Sequence, residues 1–186
     1  MKNKITKYIL LAFICLGLQA CLFQEDDLFE KSSANRASEN VAELQELLVN
    51  VPNGWKMEYY PGTDYSMGGI TLLCRFDGNN VTLMSEVGSV KTASGKEASS
   101  LYKVTSEEST VLTFDSFNEF IHCFSEPIMG MNTNLEGDYE FVYMGQEDNK
   151  VILQGRRYHN TMVMTPLTQG AVSYTHLRAH ETELHL

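Results

Sequence analysis

Apolar residues fall into three regimes along this 186-residue chain. Ile9 to Leu18 is an almost unbroken apolar run behind Lys2, Lys4 and Lys7. Between Ala34 and Leu48 the spacing becomes helical: Ala34, Ala37, Val41, Leu44, Leu47 and Leu48 share a face, Ser32 and Ser33 offer N-caps, and Pro52-Asn53-Gly54 ends the segment. That pattern predicts one amphipathic helix lying on something else. From Trp55 onward the helical period disappears, and short β-rich runs alternate with turn residues. Strands are predicted over Trp55 to Tyr60, Ile70 to Phe76, Val81 to Val87, Leu101 to Ser106, Val111 to Phe114, Phe117 to Phe124, Asp138 to Met144, Val151 to Gln154 and Thr161 to Thr165. Asp77-Gly78-Asn79-Asn80 and Gln146-Glu147-Asp148-Asn149 read as tight hairpin turns. Connections this short favour antiparallel neighbours, because parallel strands need crossovers of roughly a dozen residues. Eight or nine such strands must close on themselves or stack as two sheets, or they leave open edges. The expected fold is therefore mainly β: an antiparallel up-and-down barrel or curved meander with one N-terminal amphipathic helix, a β-sandwich being the alternative.

The first regime changes the picture of where the protein works. A positive start followed by a short apolar run has the layout of an export signal and is too short for a good membrane span. Leu18-Gln19-Ala20-Cys21 resembles the lipobox read by lipoprotein signal peptidase, which makes Cys21 the expected lipidation site and residues 1–20 a signal peptide. Several acyl chains together hold a protein on a membrane where one alone does so marginally. Residues 21–31 form an acidic tether, and Glu25-Asp26-Asp27 this close to the cysteine resembles the surface-export signal of gut-type Gram-negative anaerobes. The expected location is the outer membrane, facing the cell exterior. Cleavage before Cys21 would remove three of the 14 basic residues and none of the 24 acidic ones, taking the net charge from −10 to −13. An acidic chain without clustered Lys and Arg argues against nucleic acid and against electrostatic adhesion to anionic lipid. The expected hold on the membrane is the lipid anchor.

At the other end, His176 and His180 are four apart, as paired zinc ligands on one helix face are, and His185 follows. The stretch from Ser173 to Thr182 nevertheless closely resembles the translation of a sequencing adapter, so residues 171–186 are expected to be an artefactual tail and no metal site is assigned. The folded body is then a single β-rich domain over residues 32–170, a comfortable size for one core.

Little in that body points to catalysis. Cys74 and Cys123 could pair outside the cytoplasm or stay as small buried residues. His122 beside Cys123 suggests a thiol and its base, but in a strand neighbouring side chains point to opposite faces. Asn132 to Asp138 spaces oxygen side chains as a calcium loop does, with a glycine sixth, yet Tyr143 stands where the bidentate glutamate belongs. Glu107-Glu108 reads as a solvated turn. Nucleophile-elbow, phosphate-loop, zinc-helix and dinucleotide motifs are missing, so no cofactor is expected. Tyrosines supply flat amphipathic contact area suited to sugars and proteins alike. Tyr60 and Tyr65, which flank Pro61-Gly62, are the candidate ligand-binding residues. The Gly54-Trp55 pair is faintly similar to the start of a lipocalin-type barrel, but Gly-Trp alone is a weak motif and a plain core aromatic is the simpler reading of Trp55.

One resemblance spans the body. Asn53-Gly54-Trp55-Lys56-Met57-Glu58-Tyr59-Tyr60-Pro61, Gly68-Gly69, Arg75-Phe76-Asp77, Val81, Ser85-Glu86, Ser99-Ser100-Leu101-Tyr102, Leu112-Thr113-Phe114-Asp115, Phe124-Ser125-Glu126-Pro127, Gly137-Asp138-Tyr139-Glu140-Phe141 and Gly155-Arg156-Arg157 resemble the uncharacterised lipoprotein family catalogued as domain of unknown function 4302. The resemblance covers roughly Asp27 to Leu167. It implies an exported lipoprotein often encoded near glycan-capturing outer-membrane uptake systems, supplies no catalytic residues, and implies a longer protein than this one. The functional expectation is a non-catalytic lipoprotein binding a glycan or an outer-membrane transporter component as an accessory to nutrient capture. An extracellular hydrolase is one alternative, and a structural or adhesion subunit pairing through a free sheet edge is another.

Overall fold

The computed structural model describes residues 32–85, 93, 95–128 and 133–169. The signal peptide, Cys21, the acidic tether and the tail lie outside the described residues. Two compact units divide at Asn35. Of the first, Ser32 to Asn35 are described, and there the Asn35 N–H donates to Ser32 Oγ at 3.3 Å, so Ser32 caps the helix that follows.

Helix α1 (Ser33–Val49) leads to eight strands: β1 (Trp55–Tyr60), β2 (Ile70–Asp77), β3 (Asn80–Ser85), β4 (Glu97–Ser106), β5 (Thr110–Phe114), β6 (Glu140–Glu147), β7 (Lys150–Gly155) and β8 (Thr161–Pro166). Each pairs antiparallel with the next, and β1 pairs with β8 from Trp55↔Pro166 to Tyr60↔Thr161, so the sheet closes as a barrel. Closure removes the free edge that a terminal strand would present. Of the two predicted architectures the barrel is the one formed, and the sandwich is not.

One predicted strand is replaced. Phe117 to Phe124 contains a short helix, α2 (Glu119–His122), capped by Asn118, whose Oδ1 accepts from the Phe120 N–H at 3.1 Å. Phe117, Phe120, Ile121 and Phe124 sit at i, i+3, i+4 and i+7, the helical period. β4 begins earlier than predicted, at Glu97, and β6 runs from Glu140 to Glu147 with a bulge between Tyr143 and Gly145. Both predicted hairpin turns form. Asp148 and Asn149 take φ of 47° and 64°, the left-handed pair that matches the twist of flanking strands.

Strand alternation sends one face of every strand inward. Trp55, Met57 and Tyr59 from β1 meet Leu72, Cys74 and Phe76 from β2 and Phe141, Leu153, Met162 and Met164 from the far strands in one core. Leu44 and Leu48 of α1 join it, and the Trp55 indole N–H donates to the Leu48 carbonyl at 3.0 Å. Gly54 permits this entry: at φ +76° a Cβ there would lie 2.5 Å from the Cys74 carbonyl oxygen. Side chains fill the interior, as in other small eight-stranded barrels.

Candidate functional site

Connection lengths divide the barrel into two ends. Where β1 begins, β2–β3, β4–β5 and β6–β7 are joined by tight turns and α1 contributes its two leucines. At the opposite end lie the described residues of the longer connections: 61–69 after β1, 115–128 and 133–139 after β5, and 156–160 after β7. Binding residues concentrate on loops carried by a rigid scaffold, so the long-loop end is the place to look.

Tyr60 and Tyr65 are brought together there. Their rings meet edge to face at 5.7 Å, and the Tyr65 hydroxyl lies 3.5 Å from Thr161 Oγ1. Tyr65 is 59% exposed. Two successive residues with side chains, Asp64 and Tyr65, sit at φ 55° and 58°. Such backbone costs about 1–2 kcal/mol per residue and persists only where surroundings hold it. The Thr63 hydroxyl and N–H both donate to the Glu136 carboxylate, which ties this loop to the 115–139 connection. Gly69 lets the loop return across Tyr60, since a Cβ there would stand 2.7 Å from Tyr60 Cε1.

Beneath the rim lies a buried polar network invisible to sequence reasoning. Asp138 accepts from the N–H groups of Arg157 (2.8 Å), Tyr158 (3.0 and 3.1 Å) and Asn160 (3.2 Å). Asn160 Oδ1 in turn accepts from the Asp138 N–H at 2.8 Å, and its Nδ2 donates to the Gly62 carbonyl at 3.4 Å. The Tyr59 hydroxyl donates between the Asp138 carbonyl and Asn160 Oδ1, at 2.9 and 3.2 Å. Burial pushes the Tyr59 phenol well above its ordinary pKa, so it remains a donor. Asp138 is the seventh position of the calcium-like loop, and its carboxylate is turned onto backbone amides. Asn132 of that loop lies outside the described residues.

On another flank of the same end, His122 contacts two exposed rings. It stacks on Tyr139 at 4.9 Å and 22°, and meets Phe117 at 5.4 Å and 40°. Burial holds its pKa below the usual value, with Glu126 pulling the other way. The strand reading of this segment hid the cluster, although the helical spacing of its apolar residues was there to find.

Catalytic pairings do not assemble. Cys74 and Cys123 are both free thiols. Cys74 pairs across from Trp55 at the helix end of the interior, whereas His122 stacks on Tyr139 at the loop end. Burial raises the Cys74 thiol far above its usual value and pushes Cys123 up to about 11. Neither is poised to ionise. Cys123 follows α2 as its C-cap, so strand alternation is not what separates it from His122; His122 Nδ1 is engaged with the Asn118 backbone at 3.1 Å. Glu107 is in an ion pair with Arg156 at 2.5 Å. A groove of about 180 Å³ on the outer face of β2 and β3 has Glu97 as the sole acidic residue in its lining. Among the described residues, no group of three or more His, Cys, Asp or Glu side chains is placed to hold a metal.

A family model described as Domain of unknown function (DUF4302) matches residues 25–184 of the chain, a stretch that takes in most of the tail after Gly170 as well as the barrel. Searches of curated proteins and of solved structures found no match.

Proposed function

The chain belongs to the DUF4302 family, whose function is unknown, and from its own residues we propose that it is a lipid-anchored, non-catalytic binding protein. Cys21 carries the lipid, and the protein faces the cell exterior from the outer membrane of a Gram-negative cell. Its ligand is a glycan or a component of an outer-membrane transporter, met as an accessory to nutrient capture. One observation carries the binding reading: the interior is filled and the long connections gather at a single end of the barrel, where Tyr65 is held exposed on a left-handed loop beside Tyr60. A filled barrel leaves the rim, and not a central cavity, as the contact surface.

Two experiments test the two halves. Labelled palmitate should enter the wild-type chain but not Cys21→Ser, and protease added to intact cells should digest the protein; lack of labelling or full protection removes the anchored, outward-facing reading. The purified mature chain should bind a member of a glycan panel or a transporter component encoded nearby, with Tyr65→Ala at least tenfold weaker. No binding, or binding indifferent to Tyr65, removes the rim. The hydrolase alternative needs a cleft where two carboxylates, or His122 and Cys74, converge. The adhesion alternative needs a free edge, and the pairing of β1 with β8 takes the terminal strands out of consideration.

A further inference from the structure

We propose that Phe117, His122 and Tyr139 form a second binding platform, one that takes the apolar face of a sugar ring in an uncharged saccharide. The proposal narrows the binding reading above to a chemistry and rests on it only in taking the loop end as the ligand-facing end. It concerns a different flank: Tyr60 lies on β1, while this cluster borders β5 and β6, four and three strands round the ring.

Rigid mounting is the first argument. Phe117 is 47% and Tyr139 42% exposed, yet each is the chain neighbour of a buried polar anchor, Asn118 (2%) and Asp138 (3%). Asn118 caps α2 and donates through Nδ2 to the Ala98 carbonyl at 3.1 Å and Ser100 Oγ at 3.2 Å. Asp138 holds the network described above, and the Tyr139 carbonyl accepts from the Phe114 N–H at 3.0 Å. Two half-exposed rings are thus fixed at the backbone and braced on His122. Pre-organised aromatic surface loses little freedom on binding.

Shape and charge decide the ligand. Stacked rings spend their inner faces on each other, which leaves a shelf and not a cage, so an ammonium group has no box of ring faces to enter. Asp115 and Glu119 lie two residues to either side of Phe117 in the chain, Glu140 follows Tyr139, Glu126 acts electrostatically on His122, and Lys103 is paired with Asp115 at 2.5 Å, so the neighbourhood is richer in acids than in bases and disfavours a polyanion. Three side chains fall well short of the roughly 800 Å² per partner of a stable protein interface. They suit one or two sugar rings, whose C–H faces lie on aromatic surface while their hydroxyls reach the polar border.

The test titrates the full mature chain with maltohexaose, cellohexaose and mannohexaose, and with polygalacturonate and choline as charged comparators, following the His122 ring protons by NMR. At least one neutral hexasaccharide should shift the His122 resonance, with Kd at least fivefold weaker in Phe117→Ala and Tyr139→Ala and nearly retained in Tyr139→Phe. Should Tyr139→Ala fail to fold, Phe117→Ala, whose ring is half in solvent, decides. The proposal falls if no neutral hexasaccharide moves His122, if a charged comparator does so instead, or if Phe117→Ala binds as wild type. If binding is lost in Tyr65→Ala but not in the platform variants, the rim reading survives and this one does not.

Discussion

Asp138 stabilises the loop end through backbone donors of the β7–β8 connection. Its carboxylate satisfies three backbone N–H groups of the β7–β8 connection from a nearly fully buried position. Leaving a buried donor unmade costs about 1–3 kcal/mol, more than the net worth of a typical hydrogen bond. Asp138→Ala should therefore lower the unfolding free energy by about 3–5 kcal/mol, read from urea denaturation; a loss under about 1 kcal/mol would mean that water replaces the carboxylate without penalty. The sequence does not disclose this role, because Gly137-Asp138-Tyr139 looks like any turn and its partners lie about 20 residues away. His122 makes a second prediction at this scale. Burial lowers its folded-state pKa, so between the folded value and about 6.5 the unfolded chain binds the extra proton. Its contribution to stability is thus complete above about pH 6.5 and is lost as pH falls through the folded value. Glu126 softens the effect without reversing it. Wild type should lose more stability than His122→Asn between pH 7.5 and 5, with carboxylate titration common to both; parallel curves would show that the ring gains no proton on unfolding.

Among the elements, the seam between β5 and β6 is the shortest in the ring: Val111↔Val142, Leu112↔Phe141 and Thr113↔Glu140 are its only paired positions. Two kinds of interaction bridge it. Outside, Arg156 reaches Glu107 at 2.5 Å and Glu140 at 3.7 Å, with side chains 38–48% exposed. Inside, Phe141 meets Phe114 at 6.1 Å and Tyr59 at 5.6 Å, both edge to face. Exposed pairs contribute about 0–1 kcal/mol, whereas truncating a buried Phe costs about 3–5 kcal/mol. Arg156→Ala should accordingly change the urea midpoint little, and Phe141→Ala should shift it severely; the reverse order would place the hold of the seam on its outer face. Legibility was uneven at this level. The α1 stripe and most strands were readable because their period is regular and their turns carry Gly, Asn and Asp. The segment around α2 reads as a strand because three phenylalanines, an isoleucine and a cysteine favour β by composition, while the Asn118 cap and the 3-4-7 spacing favour a helix. Tyr60 and Tyr65 flank a loop in the sequence, and in the structure their rings meet. The meeting of Phe117, His122 and Tyr139 is not legible in the same way, since stacking between residues 17 apart depends on the path of the 115–139 connection.

For the molecule as a whole, strand number and turn length narrow the choice to a closed ring or two stacked sheets without deciding it, and they say nothing of the state of the interior. An eight-stranded ring lies at the size where side chains can either fill the space or leave room for one small ligand. Here Trp55, Tyr59, Phe114 and Phe141 all point inward and are essentially fully buried, so large aromatics occupy the volume a lipocalin-type barrel would give to cargo. Gly54-Trp55 therefore opens a barrel whose interior is filled by side chains. Leu153 allows the point to be tested, because it is 1% exposed on β7 within this core and its removal leaves the ring of strands intact. Leu153→Ala should cost about 2–5 kcal/mol and leave an apolar void. Such voids stay dry and take up benzene-sized molecules. Saturating benzene should raise the Tm of Leu153→Ala while leaving wild type unmoved. If benzene or a longer apolar chain stabilises the wild-type protein as strongly, the interior is accessible space after all, and the search for the ligand moves from the rim to the core.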